Sequence, residues 1–227
     1  MGCANYLSGH FHPSLEDPVL SSISCASASL TNSLMFDSPA LRYHPSRMAY
    51  SIRKATLADR PAIEQLIIAS ARGLSRADYS EKQIEGAIKT VFGVDTNLIL
   101  DGTYFVADND GDLIGCGGWS KRKTLFGGDQ YATRDAAELD PKTEAAKIRA
   151  FFIHPEHARK GIARAILNEC EAEAKAAGFR SLELMATLPG IKLYLACGYK
   201  GQDRVELKVG DALTIGLLPM TKELPRE

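Results

Sequence analysis

The chain has 227 residues, enough for one ordinary domain with a buried core and an appendage. Hydrophobic residues make up 45% and charged residues 24%, so composition alone excludes an intrinsically disordered chain. Lys and Arg number 27 against 28 Asp and Glu, which excludes a basic nucleic-acid coat, and the longest apolar runs (Leu66–Ala69, Ala150–Ile153) are far shorter than the roughly 20 residues of a membrane span. The expectation is a soluble, cytoplasmic protein with no nucleic-acid or membrane partner.

Residues 1–47 read as an N-terminal extension: Ser-rich at 21, 22, 24, 27 and 29, aperiodic, and without Lys or Arg before Arg42. Arg42 and Arg47 against Glu16, Asp17 and Asp37 leave 25 basic and 25 acidic residues in 48–227, so the folded part is neutral without it. The segment lacks the Arg-rich amphipathic pattern of a mitochondrial presequence, and Tyr6 stands where Met1-Gly2-Cys3 would need Ser or Thr for myristoylation. Met48 is a plausible natural start, and the regular chain is expected over 48–223 with a short tail at 224–227.

From Tyr50 the pattern becomes regular. Tyr50–Ala55 alternates as a strand, and Thr56 or Asp59 can cap a helix carrying Ile63, Leu66, Ile67 and Ser70 on one face. Ser80 with Gln83 forms a capping box for a second helix through Ile84, Ile88 and Val91. Strands over Thr103–Ala107 and Leu113–Trp119 flank a turn of alternating acids, Asp108 to Asp112. That turn lacks the Gly and the final Glu of a calcium loop, because Leu113 and Trp119 stand in those places. Gly115, Gly117 and Gly118 lie within the strand pattern, where Gly marks a bulge or a close approach rather than a phosphate loop.

Residues 120–146 read as a long loop-like insert with Gly127-Gly128 and Pro141, and Ile148–Ile153 as a short apolar strand. A helix from Gly161 to about Ala177 places Ile162, Ile166, Cys170 and Ala174 on one stripe and stops at Gly178. Ser181–Ala186 is a strand, Gly190–Cys197 a short helix, and Tyr199–Leu207 and Leu213–Met220 closing strands, which together predict an α/β or α+β fold around a mixed sheet. The five cysteines at 3, 25, 116, 170 and 197 are widely spaced, as expected of reduced, buried residues rather than disulfides. Pro155 inside His154–His157 denies the one-face helical geometry of a zinc motif, so no metal is expected.

The chemically informative stretch is Phe151 to Arg164, a strand, a tight basic loop and a helix start. A helix N-terminus offers unpaired N–H groups and the positive end of a macrodipole, and the small residues Ala158, Gly161 and Ala163 let an anion approach the backbone. Arg159, Lys160 and Arg164 add positive charge. Neither a Walker loop nor a Gly-x-Gly-x-x-Gly fingerprint is present.

This stretch resembles the GNAT superfamily of acyl-CoA N-acyltransferases, whose signature is Val/Ile-His-Pro ending a strand, then Arg/Gln-x-x-Gly-x-Gly/Ala opening a helix. Ile153-His154-Pro155 and Gly161-Ile162-Ala163 fit, whereas Ala158 replaces the usual Gln or Arg. Leu193-Tyr194 to Gly198-Tyr199 is similar to the family's Tyr-x-x-x-Gly-Phe block, though Thr187 and Gly190 replace its upstream Asn and Ala. The resemblance spans about Ala49 to Lys222. It implies a mixed, mostly antiparallel sheet of about six to seven strands flanked by about four helices, with acetyl-CoA as co-substrate.

Further implications concern the site. The turn Ala158, Arg159, Lys160, Gly161, Ile162 and Ala163 would hold the pyrophosphate, and the backbone of Phe151, Phe152 and Ile153 the pantetheine, between diverging fourth and fifth strands. A strand N–H would stabilise the oxyanion, and Tyr194 would protonate the leaving thiolate. The general base is left open between Glu144, Glu183 and relayed water. The expected acceptor is a small-molecule or peptide amine in a pocket built from the first two helices and the insert, with a homodimer compatible. Two other readings remain, a non-catalytic acyl-CoA sensor and a nucleotide- or phosphometabolite-binding module.

Overall fold

The computed structural model describes residues 50–225. Eight strands form one sheet: β1 (Ser51–Lys54), β2 (Tyr104–Asn109), β3 (Asp112–Ser120), β4 (Ala146–Ile153), β5 (Ser181–Thr187), β6 (Lys200–Gly201), β7 (Val205–Gly210) and β8 (Leu213–Glu223). Five α-helices accompany them: α1 (Arg60–Leu74), α2 (Glu81–Thr90), α3 (Thr96–Leu100), α4 (Ile162–Ala176) and α5 (Ile191–Ala196). The strand order is β1-β2-β3-β4-β5-β8-β6, with β7 also on β8. Every pairing is antiparallel except β4 with β5.

Local signals account for most boundaries. Ser80 accepts the Gln83 N–H while the Gln83 side chain returns to the Ser80 backbone, so α2 starts on the expected capping box. Asp108 accepts the Gly111 N–H and closes the β2–β3 turn, and Gly178 follows α4 at φ +94°. Three differences concern number and extent. The α3 helix, which Asp95 caps, carries no pattern longer than a turn. The stretch expected as one strand over 199–207 divides into β6 and β7, because β8 is long enough to pair with β6 at 220–221 and with β7 at 213–217. Among the described residues the sheet therefore has eight strands, one more than the expected six to seven, and five α-helices flank it where about four are expected.

The core lies on both faces of the sheet. One cluster packs Ile162, Ile166, Leu167 and Cys170 of α4 against Ile148, Leu182, Leu184 and Met220. On the other face Ile63, Leu66 and Ile67 of α1 pack against Leu98, Tyr104, Val106 and Cys116, and α2 covers Ile215 and Leu217. Cys116, Cys170 and Cys197 carry free thiols, the first two buried as expected, while Cys3 and Cys25 lie outside the described residues. The domain boundary expected at residue 48 and the extension before it also fall outside them, as do the last two residues of the expected tail.

The 121–145 insert is an ordered strap rather than an open loop. Lys123 and Thr124 N–H groups bond the carbonyls of Ala137 and Asp135, and Gly128 and Asp129 N–H groups bond Val91 and Val94 in the α2–α3 connection. Asp95, fully buried, holds Arg149 of β4 at 2.6 Å and also pairs with Arg134 of the strap, whose second partner is Asp129 at 2.7 Å. Removing one partner of such a buried pair typically costs about 3–5 kcal/mol, so this network sets where the strap sits on the sheet.

Candidate active site

The site is built where β4 and β5 part. Their parallel ladder joins Ala146 to Leu182, Lys147 to Glu183 and Ile148 to Leu184, and no pair follows. Beyond Ile148, β4 stays on β3 while β5 stays on β8, which leaves an open wedge beside Phe151, Phe152 and Ile153. The Ile153 N–H, released from the ladder, donates to Ser70 Oγ of α1 at 3.1 Å. It is thus already engaged, which narrows the choice of oxyanion donor on this strand.

β4 bends at this point. Cys116 to Gly118 on β3 matches Phe152 to Arg149 on β4, so β4 carries one extra residue, and Ala150 is left-handed at φ +56°. An alanine held there stores about 1–3 kcal/mol. The bulge also shifts side-chain alternation: Ile148 and Phe151 lie toward α4 and α5, whereas Arg149, Ala150 and Phe152 lie on the opposite face. Gly117 is required opposite the bulge, since a Cβ there would sit 2.7 Å from the Phe151 ring. The glycine cluster of β3 therefore marks a bulge, as its sequence pattern implies, but the extra residue is on the neighbouring strand.

The turn between β4 and α4 has the shape of an anion cradle. Arg159 is left-handed at φ +61° and Gly161, the α4 N-cap, at φ +86°. No side chain caps this helix, and its first intrahelical bond is Ala165 N–H to Gly161 O, which leaves the Ile162, Ala163 and Arg164 N–H groups without helical partners. A Cβ built on Gly161 meets nothing within 4 Å, so the backbone faces open space. Arg159, Lys160 and Arg164 are exposed around it, Ala158 and Ala163 are half-buried, and Ile162 turns its side chain into the core, 2.8 Å from where a Gly115 Cβ would lie. These residues fit a coenzyme pyrophosphate.

Tyr194 of α5 is 8% exposed and stacks edge-on to Phe151, with ring centroids 6.3 Å apart, and to Tyr199 at 5.6 Å. Its hydroxyl bonds no other described residue, and burial pushes its pKa well above the ordinary phenol value. On the far wall of the wedge, Phe152 meets Phe92 edge-on at 5.7 Å, and Phe126 and Tyr131 of the strap join Met185 and Leu188. The Tyr79 hydroxyl donates to Gly216 O at 2.7 Å and accepts the Leu188 N–H at 2.9 Å, tying the α1–α2 connection to the end of β5. An open cleft of about 680 Å³ lies on this side, lined by Arg72, Arg76, Tyr79, Ser80 and Ile84 among others.

Neither carboxylate weighed as a base stands at the wedge. Glu144 accepts the Asp140 N–H at 2.8 Å, and Glu183 pairs with Lys147 where β4 and β5 are still joined. The sequence reading missed Ser70, Tyr79, Tyr104, Arg149 and Ala150. Their only local sign is an Arg in an apolar strand, which foretells a buried partner without identifying it.

Residues 71–199 match the family model described as the acetyltransferase (GNAT) family. Among curated proteins, none matches the chain. A GCN5-related N-acetyltransferase of Rhodopseudomonas palustris is similar in structure at a TM-score of 0.57 and 18% identity, over 77% of this chain and 96% of that one. The PaiA N-acetyltransferase of Thermoplasma acidophilum, in complex with coenzyme A, aligns at 0.54 and 19% over 78% and 100%. A phosphinothricin acetyltransferase of Sinorhizobium meliloti, in complex with AcCoA, aligns at 0.52 and 21% over 78% and 89%. At these identities the likeness is one of fold, and it is the family match over more than half of the sequence, motif turn and Tyr194 included, that establishes that the chain belongs to the GNAT acetyltransferase family.

Proposed function

We propose that the chain transfers the acetyl group of acetyl-CoA to a primary amine by direct attack on the thioester. The observation that carries this is the placing of the uncapped α4 N-terminus at one end of the β4–β5 wedge and the unbonded Tyr194 hydroxyl on its wall. The N–H groups of Ile162 and Ala163 and the charges of Arg159 and Lys160 bind the pyrophosphate. The pantetheine then takes the place of the missing β5 partner along the backbone of Phe151, Phe152 and Ile153.

Strand alternation turns the Phe151 N–H to the same side as that of Ile153, which makes it the donor available to the charge developing on the carbonyl oxygen. The amine nitrogen forms a bond to the acyl carbon as the carbon–sulfur bond breaks. Tyr194, protonated at all working pH values, donates to the sulfur. Because burial raises its pKa further above the roughly 8.5 of a thiol, it acts mainly as a hydrogen-bond donor that steadies the thiolate. The ammonium proton leaves to solvent through water held by backbone carbonyls. The amine enters from the α1–α2 side, past Tyr79 and the strap.

The test is a panel of amines (small aliphatic, aromatic, amino-acid and peptide) incubated with acetyl-CoA and read by free-thiol release. Amine-dependent thiol release supports the reading. Coenzyme A binding without turnover by any amine would instead make the chain an acyl-CoA sensor.

A further inference from the structure

Three non-glycine residues have positive φ among the described residues: Asp110 and Arg159 lie in turns, but Ala150 lies inside a strand. A left-handed alanine in a ladder relaxes to ordinary strand geometry unless its surroundings over-determine it. Two buried donors converge on its carbonyl. The Tyr104 hydroxyl lies 3.2 Å from Ala150 O, and the Cys116 thiol lies 3.7 Å from the same oxygen and 3.3 Å from the hydroxyl. Both residues are fully buried on β2 and β3, the two strands next to β4 on the side away from the wedge. On the N-terminal side, Arg149 is fastened to Asp95 at 2.6 Å and to Gly127 O at 2.7 Å. On the C-terminal side, the Phe151 ring drops over Gly117.

We propose that Tyr104 is a positioning residue for acetyl transfer: its hydroxyl, bonded to the Ala150 carbonyl, keeps Ala150 left-handed and so aims Phe151 and the β4 amides into the wedge. Of the two donors the phenol is the stronger, an O–H to a carbonyl against a weakly donating thiol. Without the bulge, strand alternation carries Phe151 to the α1 face and Phe152 toward Tyr194, and the amides that face the wedge change places with those that face β3. The proposal rests on the acetyltransfer reading, since the amides matter only if a thioester lies against them.

The experiment combines Tyr104→Phe, which keeps the ring and removes the donor, with Ala150→Gly, which makes the left-handed conformation free of steric cost. Tyr104→Phe alone is expected to lower kcat about tenfold, equivalent to about 1.4 kcal/mol, with acetyl-CoA affinity within about threefold because the α4 turn is untouched. In the Ala150→Gly background the same hydroxyl deletion is expected to cost less than about twofold, as the strain it restrains is gone. A purely structural role predicts a melting-temperature loss without a kcat loss, or equal kcat losses in the two backgrounds, and either result overturns the proposal. Amide resonances of residues 150–153 give a readout without turnover. They shift in Tyr104→Phe if the bulge loosens, and unmoved resonances overturn the proposal by themselves. A wild type that binds acetyl-CoA but releases no thiol with any amine brings down the acetyltransfer reading instead, which the resonances distinguish.

Discussion

Substituting Gly161 separates the cost of its backbone conformation from its place under a ligand. At φ +86° an alanine pays roughly 1–2 kcal/mol for the left-handed conformation. It meets no protein atom within 4 Å, so strain is the whole stability cost. For a chain of this size that corresponds to a melting-temperature loss of about 2–8 °C. Gly178→Ala is the matched control, since it has φ +94° and a nearest atom 3.7 Å away, at the other end of α4. Coenzyme A affinity should distinguish the two. Gly161→Ala puts a methyl group in the space the pyrophosphate needs, whereas Gly178→Ala leaves it clear. Gly161→Asp adds a repulsion of roughly 4 kcal/mol per unit of phosphate charge at about 4 Å and an effective dielectric of about 20, or about a thousandfold in affinity. Part of that loss should disappear in 1 M salt, where the screening length falls to about 3 Å. Calorimetric titration of coenzyme A with thermal melts of all three variants is the assay. Unchanged affinity in folded Gly161→Ala and Gly161→Asp proteins would refute the assignment of this turn to the pyrophosphate.

Tyr194→Phe should reduce kcat by roughly 10–100-fold, the loss of one hydrogen bond to a developing thiolate, while leaving the melting temperature unchanged, because the hydroxyl bonds no other described residue. Tyr194→Ala should also lose about 3–5 kcal/mol of stability from the emptied core, and a Phe variant as fast as wild type when chemistry is rate-limiting would remove Tyr194 from the mechanism. A chain beginning at Met48 keeps β1 whole and should unfold cooperatively with undiminished coenzyme A affinity, so loss of its cooperative transition would show that residues 1–47 belong to the fold. Stability should fall on the alkaline side. Burial pushes the Cys116 thiol from 9.0 up to about 12 and raises the Cys170 thiol as well, so above pH 9 the unfolded chain releases protons that the folded one retains. Full stability then holds below pH 9 and declines as pH rises toward 12, by about 1.4 kcal/mol per unit for each thiol. Denaturant unfolding at pH 8, 9.5 and 10.5 measures the slope, and Cys116→Ala should reduce it; a slope equal in Cys116→Ala and wild type would contradict the assignment.

What the sequence determines by itself is whatever a few neighbouring residues enforce. Ser80 and Gln83 start α2, the Asp108–Asp112 turn joins β2 to β3, Gly178 ends α4, and the basic Gly161 turn opens it with its N–H groups bare. Each is a matter of one or two backbone conformations and a hydrogen bond within four residues, so the signal and its cause lie in the same stretch. The tertiary structure decides the rest. Ala150 carries no mark of its left-handed bulge, because the requirement comes from Gly117 across the ladder and from Tyr104 two strands away. Asp95 and Arg149 are 54 positions apart, and nothing local in either makes them a pair. The wedge arises because β5 leaves β4 to follow β8, and the insert becomes a strap because its backbone finds partners in the α2–α3 connection. Glu183, legible as a candidate base, is spent on Lys147 for the same reason. Pairing across a sheet is a long-range choice made by the whole molecule, and in this chain it sets the two features on which the proposed chemistry depends, the open wedge and the bend in β4.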